Sequence, residues 1–328
     1  MKELETAWRW REERGFLSSQ QALRVFHGPG EGSGGTLGNI AIDLFQAPVG
    51  ATAWITQWEN QRGMSGYRPD TLEKVIQFLK GKGVSSAVGL VRPQKGLPEN
   101  PHTYFGSPPD QLIIQEGPAR FLIRLKGSRH PGLFLDHQPL RQWLNDHAKG
   151  LSVLNTFAYT GSLSVAAALG GAKSVTTLDL SKPTLEWANE NSALNGVESC
   201  CRTIFGDVFE WLPRLGREKG PESFDCIILD PPSFSRGKKG NFSTAKDLGK
   251  LHQLALGLIR KNGFLITSIN SAGIGWKKYE DEILRGSDQK KMLTVLKRID
   301  LPETFPTLLG DDSSRYLKGW ILRVNSKD

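Results

Sequence analysis

Three aspartates stand where a ligand could be held. Asp179, Asp207 and Asp230 close the apolar runs SVTTLD, CCRTIFGD and FDCIILD. In open α/β sheets ligands lie outside the carboxyl ends of the strands, so a carboxylate at such an end meets them. Asp179 suits the two hydroxyls of a ribose, and Asp207 the amino group of an adenine. Asp230 is followed by Pro231 and Pro232, which restrict the backbone and hold its carbonyl and carboxylate in place. Phe234, just beyond, offers a ring on which a planar base can stack while the fixed acceptors bond its edge. Such a set suits methyl transfer to a base nitrogen, a displacement in which positioning supplies much of the rate. Each aspartate has a plainer reading as a helix cap or turn residue. Three in succession after apolar strands favour a site.

The segment that must position them is LSVLNTFAYTGSLSVAAALGGAKSVTTLDLS, residues 151–181. It reads as a strand over 151–157, a polar turn Thr160-Gly161-Ser162, and a helix over 163–169 rich in Ala and Leu. Gly170-Gly171 stops that helix, and a second strand over 174–178 leads to Asp179. A right-handed strand–helix–strand crossover places the turn and Asp179 on one edge of a parallel sheet. Gly161 precedes Asp179 by close to the ~20 residues of a nucleoside-binding unit. The turn holds one glycine, not Gly-x-Gly-x-x-Gly, so it suits a nucleoside without pyrophosphate, such as S-adenosylmethionine (SAM). The competing reading is an ordinary α/β unit whose aspartate caps the next helix.

The alternation continues around this unit. Residues 132–150 predict a strand, a turn and a helix. Helices are expected over 182–195, 208–215, 245–261 and 277–295, the last interrupted near Gly286, with Asn262-Gly263 ending the third. Strands are expected over 200–207, 224–229, 264–270 and 315–324. This pattern predicts a doubly wound, mostly parallel α/β sheet of seven strands with an antiparallel strand late in the chain. Ahead of it the chain predicts a helix within 1–20 and two strands around a Gly-rich loop at 28–38. A strand over 49–58, a helix over 71–82 and a strand over 85–92 follow. Next come a proline-rich loop over 92–109 and a hairpin from 112–117 and 121–127. The Gly-rich loop lacks the Lys-Ser/Thr ending of a phosphate loop, so it reads as a hairpin connection. Two domains follow: a small α+β domain over 1–127, expected to contact substrate, and a catalytic domain over 128–328.

The 328 residues carry a net charge of +8. Basic residues gather in FLIRLKGSRH, with Arg124, Lys126 and Arg129, and in SRGKKGNFSTAKDLGK, with Arg236, Lys238, Lys239 and Lys246. LRGSDQKKMLTVLKR at 284–298 is a third such stretch. Alone, each reads as a solvated face; beside a site, two of them suit phosphate contact. Cys200, Cys201 and Cys226 make no disulfide framework, which fits a reducing cytoplasm, and neither they nor the histidines have metal-ligand spacing. No apolar run approaches the ~20 residues that span a bilayer, and the first residues have no apolar core of a signal peptide.

In its motifs the chain resembles the class I SAM-dependent methyltransferases of bacterial 23S ribosomal RNA, the cytosine-5 and guanine-N7 group. GLFLDH, LNTFAYTGSLSV, LDLS, GDVFEWL, DPPSFS and YLKGWILRV carry the resemblance across about 132–324, and HGPGEGSGGTLGNIAIDLF extends it more weakly. No PUA-type RNA-binding module is expected ahead of it. The resemblance implies SAM contacts from Phe157, Tyr159, Thr160, Gly161, Asp179, Ser181, Asp207 and Asp230, with Asp136 framing the same pocket. Gln138 stands where the group often has Arg. The cytosine-5 members carry a nucleophilic Cys in the strand after Asp-Pro-Pro; here Asn270 stands there, within Ser268-Ile269-Asn270-Ser271. With that residue and the Asp230-Pro231-Pro232-Ser233-Phe234 tip, the chain is closer to the guanine-N7 members.

The expectation is therefore a cytoplasmic SAM-dependent methyltransferase acting at a nitrogen of an RNA base. Its partner is ribosomal RNA or a ribosomal precursor particle; a homodimer is allowed and a membrane is not expected. The alternatives are a cytosine-5 enzyme, a protein or small-molecule methyltransferase, and a non-catalytic RNA-binding relative.

Overall fold

The computed structural model describes the chain except residues 18–20, 34, 60–68, 99, 221–222, 238–239, 272, 288–290, 312–313 and 327–328. The side chains of 36, 219, 234–245 and 326 also lie outside the description. The chain divides into two compact units, Met1–Asp136 with Leu301–Arg315, and His137–Asp300 with Tyr316–Asp328. The division falls somewhat beyond residue 127, and a late segment returns to the first unit.

In the first unit, α1 (Lys2–Glu13) precedes β1 (Ala22–His27), β2 (Ile40–Ala47) and β3 (Gly50–Trp58). Then come α2 (Pro69–Gly81), β4 (Ser86–Arg92), β5 (His102–Phe105), β6 (Gln111–Glu116) and β7 (Ala119–Arg124). The first five strands form one sheet in the order β1-β2-β3-β4-β5, and β6–β7 is a separate hairpin. The Gly-rich loop does connect two antiparallel strands. The expected long loop over 92–109 instead contains β5. Leu4, Trp8, Leu72, Val75 and Leu79 bury the apolar stripes of α1 and α2 with the sheet side chains Val25, Ile42 and Ile55. Arg11 is buried with them, and its guanidinium donates to the Glu31 carboxylate at 2.8 Å and the Thr304 carbonyl at 2.7 Å. A buried charge needs such partners, and these bonds fasten the returning segment to the unit.

The second unit runs α3 (Gln138–His147), β8 (Ser152–Thr156), α4 (Ser162–Leu169), β9 (Ser174–Asp179), α5 (Lys182–Leu194), β10 (Cys201–Phe205) and α6 (Val208–Lys219). β11 (Phe224–Leu229), the hairpin β12 (Phe234–Gly237) and β13 (Gly240–Ser243), α7 (Thr244–Leu256), β14 (Ile259–Asn270), α8 (Trp276–Gly286), β15 (Lys291–Arg298) and β16 (Leu317–Ser326) complete it. The seven-stranded order is β10-β9-β8-β11-β14-β16-β15. β8 to β11 and β14 pair in parallel, and β16 lies antiparallel to β14 and to β15. Strand order reverses between β8 and β11, and such a switch point opens the ligand crevice of an open α/β sheet. One sheet face is buried under α6, α7 and α8 through Leu212, Leu251, Leu256 and Ile283.

Several expected elements differ. No strand forms at 132–136; a 3-10 turn over Leu135–His137 leads directly into α3, whose first turn accommodates Pro139. α6 extends to Lys219 with Pro213 inside it. α7 stops at Leu256, and Asn262, at φ 64°, lies in the irregular start of β14. The helix expected over 277–295 is α8 followed by the edge strand β15. α8 ends at Gly286, where a Cβ would come within 2.5 Å of His252 Cβ. Beyond it, Leu293, Thr294 and Val295 register with Val324, Arg323 and Leu322. Ladder bonds to β16 outweigh the weak helical periodicity of MLTVLKR.

Candidate active site

The chain between β8 and α4 is bent tightly. Phe157, Tyr159 and Gly161 have φ of 53°, 52° and 73°. Left-handed backbone is uncommon outside glycine and clusters at functional sites. At Gly161 the need for glycine is direct, since a Cβ would lie 2.8 Å from Ala188 Cβ. Thr160 is buried, and its carbonyl accepts from Asn191 Nδ2 at 2.9 Å. This geometry aims the Tyr159 N–H at Asp179 Oδ2, 2.8 Å away. Asp179 Oδ1 accepts the Ser181 N–H at 2.9 Å and the Thr184 hydroxyl at 3.4 Å. A carboxylate has about four lone-pair sites, so these three bonds leave acceptor capacity on Oδ2 for a ribose hydroxyl. Burial raises the Asp179 carboxyl above its ordinary range although the N–H bonds of Tyr159 and Ser181 pull it down. Asp179 is therefore no helix cap; that place at α5 belongs to Ser181.

Asp207 does cap a helix. Its Oδ1 accepts the Phe209 N–H at 2.8 Å at the start of α6. One oxygen is so engaged, and the other keeps its acceptor sites.

Asp230 follows β11 and is assembled from distant side chains. Ser268 Oγ donates to its Oδ1 at 2.6 Å, and His137 Nε2 lies 3.1 Å from its Oδ2. Only 25% of the Asp230 side chain remains exposed. Burial pushes its carboxyl up, but the His137 charge and the bonds from His137 and Ser268 outweigh burial and hold it below the usual range. Ser233 Oγ donates to the Asn270 carbonyl at 2.8 Å, joining the Asp230-Pro231-Pro232 tip to the end of β14. Asn270 itself is exposed there.

β14 is anchored on its other side as well. The neighbouring Thr267 hydroxyl lies 2.9 Å from His252 Nε2 and 2.8 Å from the Tyr279 hydroxyl. His252 Nδ1 faces the Leu248 carbonyl at 2.8 Å, so that nitrogen carries the proton and Nε2 accepts. Burial lowers His252 to about 4, which keeps the ring neutral. Thr267 and Ser268 point to opposite sheet faces, so one residue is held by α7 and α8 and the next holds Asp230.

Sequence reasoning missed His137, Ser268, His252, Thr267 and Tyr279. FLDH offers a signal for His137, but nothing local ties it to Asp230. Asp136 is buried in the turn over Leu135–His137 and falls in the first unit. Arg124, Lys126 and Arg129 are also in the first unit. Arg124 is half-buried in β7, Lys126 pairs with Asp110 at 2.8 Å, and Arg129 is exposed. Lys246 is exposed on α7. Lys238, Lys239 and the side chains of Phe234 and Arg236 lie outside the described residues. The cysteines stand apart from Asp230. Cys226 is buried within β11, and burial raises its thiol far above the ordinary range. Cys201 begins β10, at the strand end opposite the aspartates, and burial pushes it up to about 12. Among the described residues no group of three His, Cys, Asp or Glu side chains could hold a metal, and no helix is long and apolar enough to cross a membrane.

A family model described as S-adenosylmethionine-dependent methyltransferase matches residues 24–323. The Bacillus subtilis protein YwbD, provisionally named a ribosomal RNA large subunit methyltransferase, is 30% identical over 306 residues. That match covers 92% of this chain and 74% of YwbD. The ribosomal RNA large subunit methyltransferase K/L of Shewanella frigidimarina is 42% identical over 165 residues, 49% of this chain but only 22% of that protein. Among solved structures, a provisionally named methyltransferase in complex with S-adenosylhomocysteine superposes with a TM-score of 0.84 at 26% identity. That superposition covers 98% of this chain and 80% of the other.

Proposed function

This chain belongs to the S-adenosylmethionine-dependent methyltransferase family, and from that membership we propose that it methylates a base of large-subunit ribosomal RNA, at a nitrogen of the guanine-N7 type. SAM supplies a methyl group activated by a sulfonium. The chain's residues bind and orient. Asp179 takes a ribose hydroxyl with the unused acceptor capacity of Oδ2, the turn over Phe157–Gly161 and Ser181 line the cofactor, and Asp207 accepts from the adenine amino group. Asp230, fixed by His137, Ser268 and the two prolines, holds the substrate base edge, and Phe234 stacks on it. Arg236, Lys238, Lys239 and Lys246 meet phosphates beyond the tip, and the first unit, with Arg124, Lys126 and Arg129, adds further RNA contact. The substrate class is the one that the relatives' names give, and a cytoplasmic setting goes with it.

The nitrogen assignment rests on one observation: no thiol stands at the Asp230 tip. A cytosine-5 reaction needs a thiolate that adds to the base. Asn270 ends β14, Cys226 is enclosed in β11, and Cys200 and Cys201 lie at the far end of an outer strand. A base nitrogen attacks the methyl group with its own lone pair and needs no adduct. Denaturing electrophoresis with 5-fluorocytosine-containing RNA tests this: no protein–RNA band is expected, and a Cys-dependent band would restore the cytosine-5 reading. Replacing all three cysteines by Ser or Ala should leave transfer largely intact, apart from packing loss at Cys226. Labelled methyl offered to bulk ribosomal RNA against protein separates the substrate classes. Nucleoside mass spectrometry of ribosomal RNA from cells with and without the protein identifies the product.

A further inference from the structure

Phe134 lies on the loop that leads into the turn over Leu135–His137, and 40% of it is exposed. A single exposed Phe is ordinary; its surroundings set it apart. The ring stacks on the imidazole of His130, with centroids 4.1 Å apart and planes 29° from parallel. Burial first, then the charges of Arg92 and Arg24, lowers His130 to about 3, so at neutral pH it is an uncharged aromatic backing. The loop is basic. Arg129 is exposed, and its carbonyl accepts from the Arg92 guanidinium at 3.4 Å, which brings a second arginine to the same segment.

Two stacked rings beside guanidinium groups match the chemistry of an unpaired nucleotide, whose base has a π-face and whose phosphate is an anion. A base inside an A-form duplex cannot reach such a ring.

We propose that Phe134, backed by His130 and flanked by Arg92 and Arg129, is a stacking platform for an unpaired base of the RNA substrate. This inference rests on the RNA reading above, and the experiment separates the two. The full-length protein and its Phe134→Ala, Phe134→Leu and Phe134→Trp variants would be titrated against a single-stranded ribo-oligonucleotide carrying 2-aminopurine. SAM affinity would be followed by calorimetry and the fold by circular dichroism. The wild type and Phe134→Trp should bind and quench the fluorophore. Phe134→Ala and Phe134→Leu should bind about tenfold more weakly, the scale of one lost base stack, and lose the quenching. SAM affinity should stay unchanged in all four. Equal binding by Phe134→Leu would reduce the ring to an apolar cover and overturn the platform. A fall in SAM affinity on Phe134→Ala would give the ring to the cofactor and overturn it equally. A wild type that binds neither this oligonucleotide nor ribosomal RNA would overturn the RNA reading itself, whereas RNA binding that Phe134→Ala leaves intact would overturn this inference alone.

Discussion

Asp179 and Asp230 close two strands of one sheet and are held in opposite ways. Asp179 is gripped by backbone N–H groups from its own strand–helix–strand unit, Tyr159 and Ser181. Asp230 is gripped by side chains, Ser268 from a neighbouring strand and His137 from the turn before α3. Both are half-buried, yet their acidities move in opposite directions, Asp179 raised and Asp230 lowered. Neutral backbone donors soften the cost of burying a carboxylate; an ionisable partner reverses it. A backbone grip tolerates changes of neighbouring residue type, which suits the cofactor role proposed for Asp179. A side-chain grip can be retuned by substitution, which suits the substrate role proposed for Asp230.

The largest effect should come from removing the side-chain-held carboxylate. Asp230→Ala should lower single-turnover methyl transfer by about 100-fold or more, because misplacement of reacting groups by 1 Å has that scale. A loss under tenfold would place the base elsewhere. Asp179→Ala should weaken SAM by about 1.5–3 kcal/mol, the range for hydrogen bonds to a charged group. Calorimetry measures it, and unchanged affinity with an intact fold would move the ribose contact off the β9 tip.

Gly161→Ala tests the backbone grip itself. A Cβ at φ 73°, within 2.8 Å of Ala188 Cβ, should cost about 1–2 kcal/mol of stability in urea unfolding. SAM affinity should fall with it, since the same turn aims the Tyr159 N–H.

His137→Gln tests the sign of the comparison. The depressed Asp230 pKa contributes stability that is fully present above the unfolded value of 3.8 and is lost as pH falls through the lower folded pKa. Without His137, burial dominates and the carboxyl should rise, as Asp179 does. The acid limb of transfer should then move toward neutral pH, and the variant should lose its excess acid stability. An unmoved acid limb would mean that His137 acts only as packing.

The smallest effect concerns the substrate end alone. Neutralising Lys246 and Arg236 should flatten the slope of log RNA affinity against log salt by up to about 0.7 per lost phosphate contact, with SAM affinity unchanged. An equal slope would leave them as solvated residues.

The strand tips were legible because the signal is local. An apolar run of strand length ending in Asp occupies a few consecutive residues, and β11 emerges as Phe224–Leu229, where the pattern put it. The glycine turn was legible for the same reason. MLTVLKR was misread because its periodicity is weak and its conformation is set by hydrogen bonds to β16. GLFLDH was misread as a strand because its apolar residues pack from a turn. Asp207 kept two readings in the sequence, and the capping bond to Phe209 shows that the plainer one holds for one of its oxygens.

By itself the sequence determined which residues end the strands, where the turn must bend, and that no cysteine follows the Asp-Pro-Pro tip. Those properties depend on residue type and near neighbours: apolar spacing, the φ freedom of glycine, the rigidity of proline. Only the tertiary structure decided that His137 and Ser268 set the charge of Asp230, and that Thr267, His252 and Tyr279 anchor β14 behind it. These partners are far apart in the chain and meet because β8 and β11 are neighbours at the reversal of strand order and β14 lies beside β11. Hydrogen bonds between remote side chains carry no periodic signature, so nothing short of the assembled sheet reveals them.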